Sequence, residues 1–331
     1  CTLPGQPKEF TDAIERVTRP IESLRRDVSF AEFLRTRRNL SPRMRELART
    51  YVEGFHAAHA DRISTLALSG GTIEKQFRIL DGYDSVIAWL RAGIDPSRAE
   101  VRFSTVVKSI EWSDGDVTIA TSKETFHARA AVLTIPIGVW KAPQEQEGAI
   151  RFDPPLREKE SALEHLEAAH VVRIVFRFRE PFWEPSTHFV HNPSDRFMPT
   201  WWTTNPIRTA LLTGWAGGHA ADAMLAEGSD AMIDRALDAM SRAFAVPRRK
   251  IASRLIATWT HDWQSDPFSR CAYSYPAVGG SNAHAALAKP IRRTLFFAGE
   301  ATSAKQFGTV AGAIESGRRA AREMLRMFTT Q

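Results

Sequence analysis

The sequence predicts an α/β plus α+β protein whose domains are not contiguous along the chain. Three observations support this fold class. Helical and strand patterns are interleaved throughout the 331 residues, an unbroken apolar run at 295–298 leads into a glycine and an acid, and a helical segment with many small residues follows. The apolar run is typical of a central parallel strand that is covered on both faces. The length fits about two domains.

The N-terminal part reads as helical. Apolar residues recur at helical intervals over 28–34, with Ser29 as the expected N-cap and Glu32 three residues later. Farther along the chain we expect helices over 45–55 and 83–90 and an extended segment over 75–80.

Strand patterns dominate the middle of the chain. Strands are predicted over 101–107, 116–121, 128–135, 171–178 and 209–214. In the segment 171–178, alternate residues form one apolar side, while Arg173 and Arg177 lie on the other. A helix over 229–244 has an apolar stripe, and Ser229 is its expected N-cap.

Composition and charge exclude several classes of function. The net charge is +6, but the arginines are scattered, which favours a solvated surface over a nucleic-acid partner. No apolar run reaches the ~18 residues that would span a bilayer, and no signal-peptide pattern is present. We therefore expect a cytoplasmic protein with neither a nucleic-acid nor a membrane partner. Two cysteines and a few histidine pairs lack metal-ligand spacing, so no metal is predicted.

The C-terminal motif carries the strongest chemical signal. Gly299 permits a tight exit from the apolar strand, and Glu300 then lies at the carboxyl end, where ligands of α/β sheets gather. The helix predicted over 309–327 offers unpaired N–H groups and a partial positive charge at its start. Small residues recur at every fourth position, at Gly308, Gly312, Ser316 and Ala320. This file suits a flat, phosphorylated cofactor; the alternative explanation is close packing of the helix on a sheet.

The motif Phe-Ala-Gly-Glu-Ala-Thr-Ser at 297–303, with Gly-Thr-Val-Ala-Gly-Ala-Ile-Glu-Ser-Gly at 308–317, closely resembles the C-terminal flavin motif of the flavin-containing amine oxidases. That family includes monoamine oxidases, polyamine oxidases and lysine-specific histone demethylases. The resemblance covers the chain from about residue 40 to the end. Further motifs fall in the family's order, at 51–56, 82–84, 132–139, 152–156, 181–183, 212–217, 263–269 and 272–275.

The resemblance implies an incomplete FAD-binding Rossmann-like domain and a mixed-sheet and helical substrate domain. Four segments then alternate between the two domains. Residues 1–76 form the helical part of the substrate domain, 77–143 the middle segment of the FAD-binding domain, 144–287 the sheet and helices of the substrate domain, and 288–331 the C-terminal segment of the FAD-binding domain.

The resemblance also implies an activity. A small-molecule amine would lose a hydride from the carbon beside its nitrogen to flavin N5, the imine would be hydrolysed, and O2 would be reduced to H2O2. The cofactor carries the difficult chemistry, while the protein positions and desolvates the reactants. Two alternatives are a non-catalytic remnant of the fold that serves as a binding or scaffold module, and an inactive truncated product.

The resemblance assigns cofactor contacts to five positions. Glu300 would lie by the ribityl and phosphate region of FAD, and Gly299 next to it is also expected to bind the cofactor. Thr309 and Val310 would direct their amides at the pyrimidine edge, where a helix N-terminus stabilises negative charge. The backbone of Val106 would contact the adenine side.

Arg173, Trp263 and Thr309 are the predicted catalytic residues. Trp263 resembles the tryptophan that flanks the isoalloxazine, and an ordinary core aromatic explains it equally well. Arg173 stands where the family usually has a lysine that holds a water near flavin N5. Arginine stays protonated, so the residue indicates either a retuned site that attracts a carboxylate or a surface arginine in a salt bridge.

Two further departures concern how FAD is held. Cys271 lies near the position where some monoamine oxidases tether flavin, yet its surroundings favour non-covalent FAD. The family's Gly-x-Gly-x-x-Gly turn, which cradles the pyrophosphate, does not occur in the 331 residues. We therefore expect a separate N-terminal chain to supply the phosphate-binding loop, the alternative being an incomplete product.

Overall fold

The computed structural model describes residues 14–68, 79 and 81–329. In this part of the chain the strands are β1 (Val107–Ser113), β2 (Asp116–Thr121), β3 (Thr125–Ala128), β4 (Ala131–Leu133), β5 (Arg151–Asp153), β6 (Leu166–Ala168), β7 (Val171–Phe178), β8 (Phe189–His191), β9 (Thr200–Thr203), β10 (Leu211–Gly217), β11 (Leu255–Trp259), β12 (Ser274–Pro276) and β13 (Leu295–Phe297).

Helices alternate with these strands. They are α1 (Phe30–Thr36), α2 (Pro42–His56), α3 (Thr65–Leu68), α4 (Tyr83–Ala92), α5 (Ile137–Trp140), α6 (Arg157–His165), α7 (His219–Ala226), α8 (Ser229–Phe244), α9 (Arg248–Ala252), α10 (Ala283–Ala288) and α11 (Val310–Thr329), with 3₁₀ turns at Arg19–Ser23 and Glu300–Thr302 and helical residues at 14–18. None of the described helices combines the length and apolarity needed to cross a bilayer.

A five-stranded antiparallel sheet in the order β11-β7-β10-β9-β8 forms the centre of the larger lobe. The predicted alternation in β7 is confirmed, because Ile174 and Phe176 are fully buried while Arg173 and Arg177 are exposed. The buried face packs against α7 and α8. The opposite face remains available to form a site.

A second packing group holds the strands that flank the C-terminal motif. β13 pairs in parallel with β4, and its three residues are at most 1% exposed, as expected for a strand covered on both faces. A four-stranded sheet in the order β3-β2-β1-β5 lies beside it. Helix α11 packs against β13, with Ala320 in contact with the buried cluster around Phe296. Arg319 fastens this packing by donating to the Phe297 carbonyl at 2.7 Å.

The N-terminal helices pack on one another and on the large sheet. The Ser29 hydroxyl accepts from the Glu32 N–H at 3.2 Å, so the predicted cap of α1 is confirmed. Helix α2 approaches β10 closely at Gly217, where a Cβ would lie 2.6 Å from the Glu53 carbonyl oxygen. A side chain at this position would therefore separate α2 from the sheet.

Several predicted boundaries are wrong. The strand expected over 101–107 begins only at Val107, since Ser104 adopts a left-handed φ of 52° that interrupts an extended run. The strand expected over 128–135 is divided between β3 and β4, which belong to different sheets. Ser229 begins α8 instead of capping it, and Gly228 is the N-cap. The predicted extended segment over 75–80 lies outside the described residues except at Ile79.

Lys159 is a buried lysine that supports the second packing group. Its side chain is 1% exposed, its ammonium donates to the carbonyls of Ala286 (3.1 Å) and Lys289, and it lies 4.1 Å from the Phe297 ring centroid. Burial lowers the pKa of Lys159 to about 8. The ammonium therefore satisfies carbonyls at the end of α10 at the cost of desolvation.

We predict that Lys159→Met reduces the dependence of stability on alkaline pH. The pKa of Lys159 is lower in the folded than in the unfolded chain, so its contribution to stability rises as pH increases from 8 towards 10.5. Denaturant unfolding at pH 8 and pH 10 should show the wild type gaining about 2 kcal/mol more than the variant. Equal gains in both proteins would contradict a buried, titrating Lys159.

Candidate functional site

The start of α11 presents backbone donors to the outside of the fold. The Thr309 hydroxyl accepts from the Gly312 N–H at 2.9 Å and donates to the Gln306 carbonyl at 2.7 Å, so Thr309 is the N-cap. Among the described residues, the N–H groups of Thr309, Val310 and Ala311 donate no hydrogen bond. All three residues are exposed. These donors and the positive end of the helix dipole suit an electron-rich ligand group.

Glu300 fixes this helix start in place. Its carboxylate accepts from the Gly308 N–H at 2.7 Å, from the Ser274 N–H at 3.1 Å and from the Ser274 hydroxyl at 2.8 Å. Burial raises the pKa of Glu300, and the hydrogen bonds from Gly308 and Ser274 oppose that rise. The predicted contact of Glu300 with FAD stays a prediction; its observed bonds join β12 to the loop before α11.

Ser274, which lies in the motif at 272–275, and His284, which the sequence analysis missed, complete the support. The Ser274 hydroxyl donates to Glu300, so the 3.1 Å contact with His284 Nε2 makes the imidazole the donor. Burial lowers the pKa of His284 to about 4, which keeps the ring neutral. The His284 ring also stacks on Phe307 at 4.6 Å. No local pattern marked His284, because its partners come from other elements.

Tyr273 joins the start of α11 to the large lobe. Its hydroxyl donates to the Phe55 carbonyl of α2 at 3.1 Å, and its ring lies 3.0 Å from where a Cβ on Gly308 would stand. Burial raises the pKa of Tyr273 well above its ordinary value, so the hydroxyl keeps its proton. Tyr273 lies within the motif at 272–275, one of the motifs that fall in the order of the flavin-containing amine oxidases, so the sequence did indicate this region.

The file of small residues serves packing of helix on sheet. A Cβ on Gly312 would lie 2.1 Å from the Gln306 carbonyl oxygen. The Ser316 hydroxyl, 3% exposed, accepts from the Gly299 N–H at 2.9 Å, and Gly299 itself has a φ of 107° that favours glycine. Of the two explanations left open for this file, the structure supports close packing.

A cavity of about 200 Å³ lies between α2 and the open face of the large sheet. Helix α2 supplies one wall, and β8, β9 and β10 supply the other. Aromatic rings make up most of the lining. The lining residues are Thr50, Tyr51, Gly54, Phe55, Phe189, His191, Thr200, Trp202 and Trp215.

Alternation in β9 separates two tryptophans that the sequence could not distinguish. Trp201 is fully buried in the core, whereas Trp202 lines the cavity and packs against Trp215 at 5.7 Å. The Trp215 indole donates to the Gly54 carbonyl at 2.8 Å, which anchors the sheet to α2. The two walls of the cavity are therefore held together by a direct hydrogen bond.

His191 is the polar centre of the cavity. The Thr50 hydroxyl donates its proton to the Glu46 carbonyl at 2.9 Å, so its 3.1 Å contact with His191 Nε2 requires the ring to donate there. His191 Nδ1 then accepts from the Thr200 hydroxyl at 3.0 Å. Burial lowers the pKa of His191 to about 4. The cavity is thus uncharged at neutral pH.

The predicted catalytic residues lie at the edges of these features. Arg173 is exposed on the cavity face of β7, opposite Trp215 in the register, and forms no ion pair among the described residues. The structure thus shows no salt bridge of Arg173 in the part of the chain that it describes, and the role of Arg173 stays a prediction. Trp263 is 44% exposed and contacts His261, so it is not a core aromatic. Thr309 caps α11.

Val106 and Cys271 have clear local roles. The Val106 N–H donates to the Ser122 hydroxyl at 3.1 Å, and its carbonyl accepts from the Ser122 N–H at 2.7 Å. Contact with adenine would have to share or replace these bonds. Cys271 is 3% exposed, and burial raises the pKa of its thiol to about 11. Among the described residues, no group of three His, Cys, Asp or Glu side chains could hold a metal.

Comparison with known proteins places the chain in a family. The sequence profile described as "Flavin containing amine oxidoreductase" matches residues 9–325, and the chain therefore belongs to this family. Polyamine oxidase 3 of Oryza sativa subsp. japonica is 30% identical over 96% of the chain and 65% of its own length. A possible lysine-specific histone demethylase 1 of Drosophila melanogaster is 28% identical over 85% of the chain and 35% of its own length.

Solved structures show the same fold. A putrescine oxidase bound to putrescine gives a TM-score of 0.80 at 18% identity, over 97% of this chain and 77% of that chain. The cyclohexylamine oxidase from Brevibacterium oxydans IH-35A gives a TM-score of 0.77 at 19% identity, over 99% and 77%. The predicted fold class, a Rossmann-like part combined with a mixed-sheet and helical part, is confirmed. The chain spans about a third of the fly relative and just under two thirds of the rice relative.

We predict opposite effects for alanine at two glycines of α11. Gly312→Ala should lower the free energy of unfolding by about 1–3 kcal/mol, because its Cβ would overlap the Gln306 carbonyl. Gly317→Ala is the matched control: nothing lies within 4 Å of its Cβ, so alanine should stabilise the helix by about 0.5–1 kcal/mol. Denaturant unfolding measures both. Equal effects would contradict the packing of this helix face.

We predict that His191 stays neutral well below pH 6. Its pKa in the folded chain lies below the unfolded value, so its contribution to stability is present above pH 6.5 and is lost as pH falls towards 4. Long-range ¹H–¹⁵N spectra should show the Nε2–H tautomer and no titration between pH 8 and pH 5, with His191→Gln identifying the signal. A ring that titrates near its ordinary pKa would refute the assignment.

Proposed function

We propose that the chain carries the flavin-facing and substrate-facing parts of an FAD-dependent amine oxidase, an oxidoreductase acting on CH–NH or CH–NH2 groups. One observation carries this proposal. The unpaired amides at the start of α11 lie beside an uncharged aromatic cavity, and Tyr273 bonds the two together. A ring placed on those amides would therefore lie at the cavity.

The residues present fit the flavin part of FAD. The amides of Thr309, Val310 and Ala311 would face an electron-rich ring edge. Gly299, which has no side chain and a φ of 107°, would let the backbone approach the ligand, and the exposed ring of Trp263 would offer a flat surface. When bound, FAD would accept a hydride from the carbon beside the amine nitrogen and pass the two electrons, with two protons, to O2 to give H2O2, while water would separately hydrolyse the imine to a carbonyl product and ammonia or a free amine.

The chain's own side chains prepare the amine. The aromatic walls exclude water and hold the apolar part of a substrate. The ring of His191 is neutral and already bonded to Thr50 and Thr200, so it places no charge next to the amine nitrogen. Arg173 lies on the same sheet face with its positive charge unpaired by acids in the described residues, so we place it at the mouth of the site.

The Rossmann-like part is completed, in this proposal, by a nucleotide-binding segment supplied by another polypeptide or by more of the same chain. Helix α4 has no buried residue, and Tyr83, Ile87 and Leu90, which lie on one side of the helix, are 60%, 62% and 39% exposed. Such an apolar face is suited to covering by another element. The division into segments 1–76, 77–143, 144–287 and 288–331 belongs to the same proposal; it is supported by the cluster that joins Ile110 and Trp112 to Leu295.

We further propose that FAD is bound without a covalent link. Cys271 is buried and protonated at neutral pH, which disfavours the thiolate that would attack a ring. Its neighbours include Ile137 and Ala301, which make it a small packing residue.

The proposal predicts flavin binding that depends on one amide of α11. Val310→Pro removes the N–H at the first helical position, where proline is otherwise tolerated. The chain, with a nucleotide-binding segment supplied if needed, should bind FAD and release peroxide from an amine. The proline variant should bind FAD ~10-fold more weakly. Absorption spectra, equilibrium titration and mass spectrometry under denaturing conditions measure binding and its non-covalent character.

Val310→Ala is the matched control, because it removes the same side chain but keeps the amide. It should bind FAD like the wild type. Equal loss in both variants would show that the side chain, not the amide, matters. Bound FAD without peroxide release from any amine would support the non-catalytic alternative, and no FAD under any condition would contradict the proposal.

A further inference from the structure

Resting on the proposed function, we infer that the cavity between α2 and the sheet selects small apolar monoamines and rejects amines with a second ammonium group. His191, held between Thr50 and Thr200, is the specificity-determining residue. The similar proteins include a polyamine oxidase and a putrescine oxidase. A preference for monoamines would distinguish this chain from both.

The first support is the absence of charge in the cavity. Among the described residues, none of the nine that line it is Asp, Glu, Lys or Arg. A second ammonium would stay protonated at neutral pH, as the pKa of an alkyl ammonium near 10 requires. It would therefore need a carboxylate or several acceptors, and the lining supplies no carboxylate.

The nearest acids of α2 are already engaged. Glu46 and Glu53 flank Thr50 in the sequence, and both bind Arg49, at 2.7 Å and 3.0 Å. Glu53 also accepts from the Ala60 N–H and contacts His219. Neither carboxylate lines the cavity.

The imidazole of His191 in the lining cannot replace an acid. Its Nε2–H donates to Thr50, and its Nδ1 lone pair receives the Thr200 hydroxyl. An ammonium group brings only donors, so it finds no ring lone pair that is not already used. Burial lowers the pKa of His191 to about 4, so the ring carries no positive charge at neutral pH.

Arg173 adds repulsion outside the cavity. It is opposite Trp215 in the register of β7 and β10, on the cavity face of the sheet, and no described acid neutralises it. Arginine keeps its charge throughout the accessible pH range. A long diamine that reached from the cavity towards this face would place like charges together.

The aromatic walls are the strongest argument for the opposite preference, since rings attract cations. A cation–π contact with a desolvated ring strengthens binding by up to roughly 30-fold. Burying an ammonium without a partner weakens binding by roughly 100-fold to 5,000-fold. The second effect is larger, so the rings serve mainly as an apolar surface.

The size of the cavity limits the substrate further. Its volume of about 200 Å³ lies below the ~300–1,000 Å³ of pockets for drug-sized ligands. A short alkyl, cycloalkyl or arylalkyl amine therefore fits better than a peptide or a polyamine.

The test compares n-hexylamine with 1,5-diaminopentane, which have the same number of non-hydrogen atoms and differ by a methyl in place of an ammonium. Calorimetric titration of the purified chain at neutral pH should give at least ~10-fold tighter binding of hexylamine. Where FAD is bound, kcat/KM should show the same order. Equal or tighter binding of the diamine, or no binding of hexylamine, would overturn the inference.

Variants at His191 identify the residue responsible. His191→Glu places a carboxylate beside the Thr200 hydroxyl and should reverse the preference, so that the diamine binds at least ~10-fold tighter. His191→Gln is neutral and of similar size, and its preference should remain that of the wild type. A glutamate variant that folds yet keeps the wild-type preference would remove His191 from this role.

Binding and turnover separate the two proposals. If hexylamine binds selectively but no peroxide forms in the presence of FAD, the oxidase proposal fails while the selection stands. If peroxide forms faster from the diamine, the oxidase proposal stands and the selection fails.

Discussion

The carboxylate of Glu300 is the constraint on which the candidate site depends. It receives three protein donors from two residues, and those residues belong to the start of β12 and to the loop before α11. Because the group is mostly buried, each of these bonds replaces water that it has lost, and an unmet bond there would be costly. The position of the loop before α11, and hence of the leading amides of the helix, depends on this side chain.

Two electrostatic environments meet at this point. The first turn of α11 offers partial positive charge and open donors, whereas the neighbouring cavity contains rings and a neutral imidazole. The first turn of α11 suits a ligand that gains electron density at one edge. The cavity beside it suits a reactant that must arrive without its proton. Neither environment requires a metal or a charged side chain in the lining.

Local patterns in the sequence predicted the parts that depend on periodicity. The alternation of β7, the Ser29 cap and the apolar strand before Gly299 are each set by neighbours within a few residues. Non-local contacts were not predictable in this way. His191 meets Thr50 from 141 positions away, and Arg319, which reads as a solvated surface residue, donates to the Phe297 carbonyl. The sequence contains the residues of the site but not the pairing that decides their protonation.

The placement of Tyr273 has a thermodynamic consequence. Its hydroxyl is bonded to the wall of the cavity, and its ring rests on the residue that precedes the cap of α11. A ligand that orders the helix start therefore also orders that wall, and less conformational entropy is left for a second ligand to lose. Two ligands bound at these two places would for this reason strengthen each other's binding by the same factor, since such coupling is reciprocal.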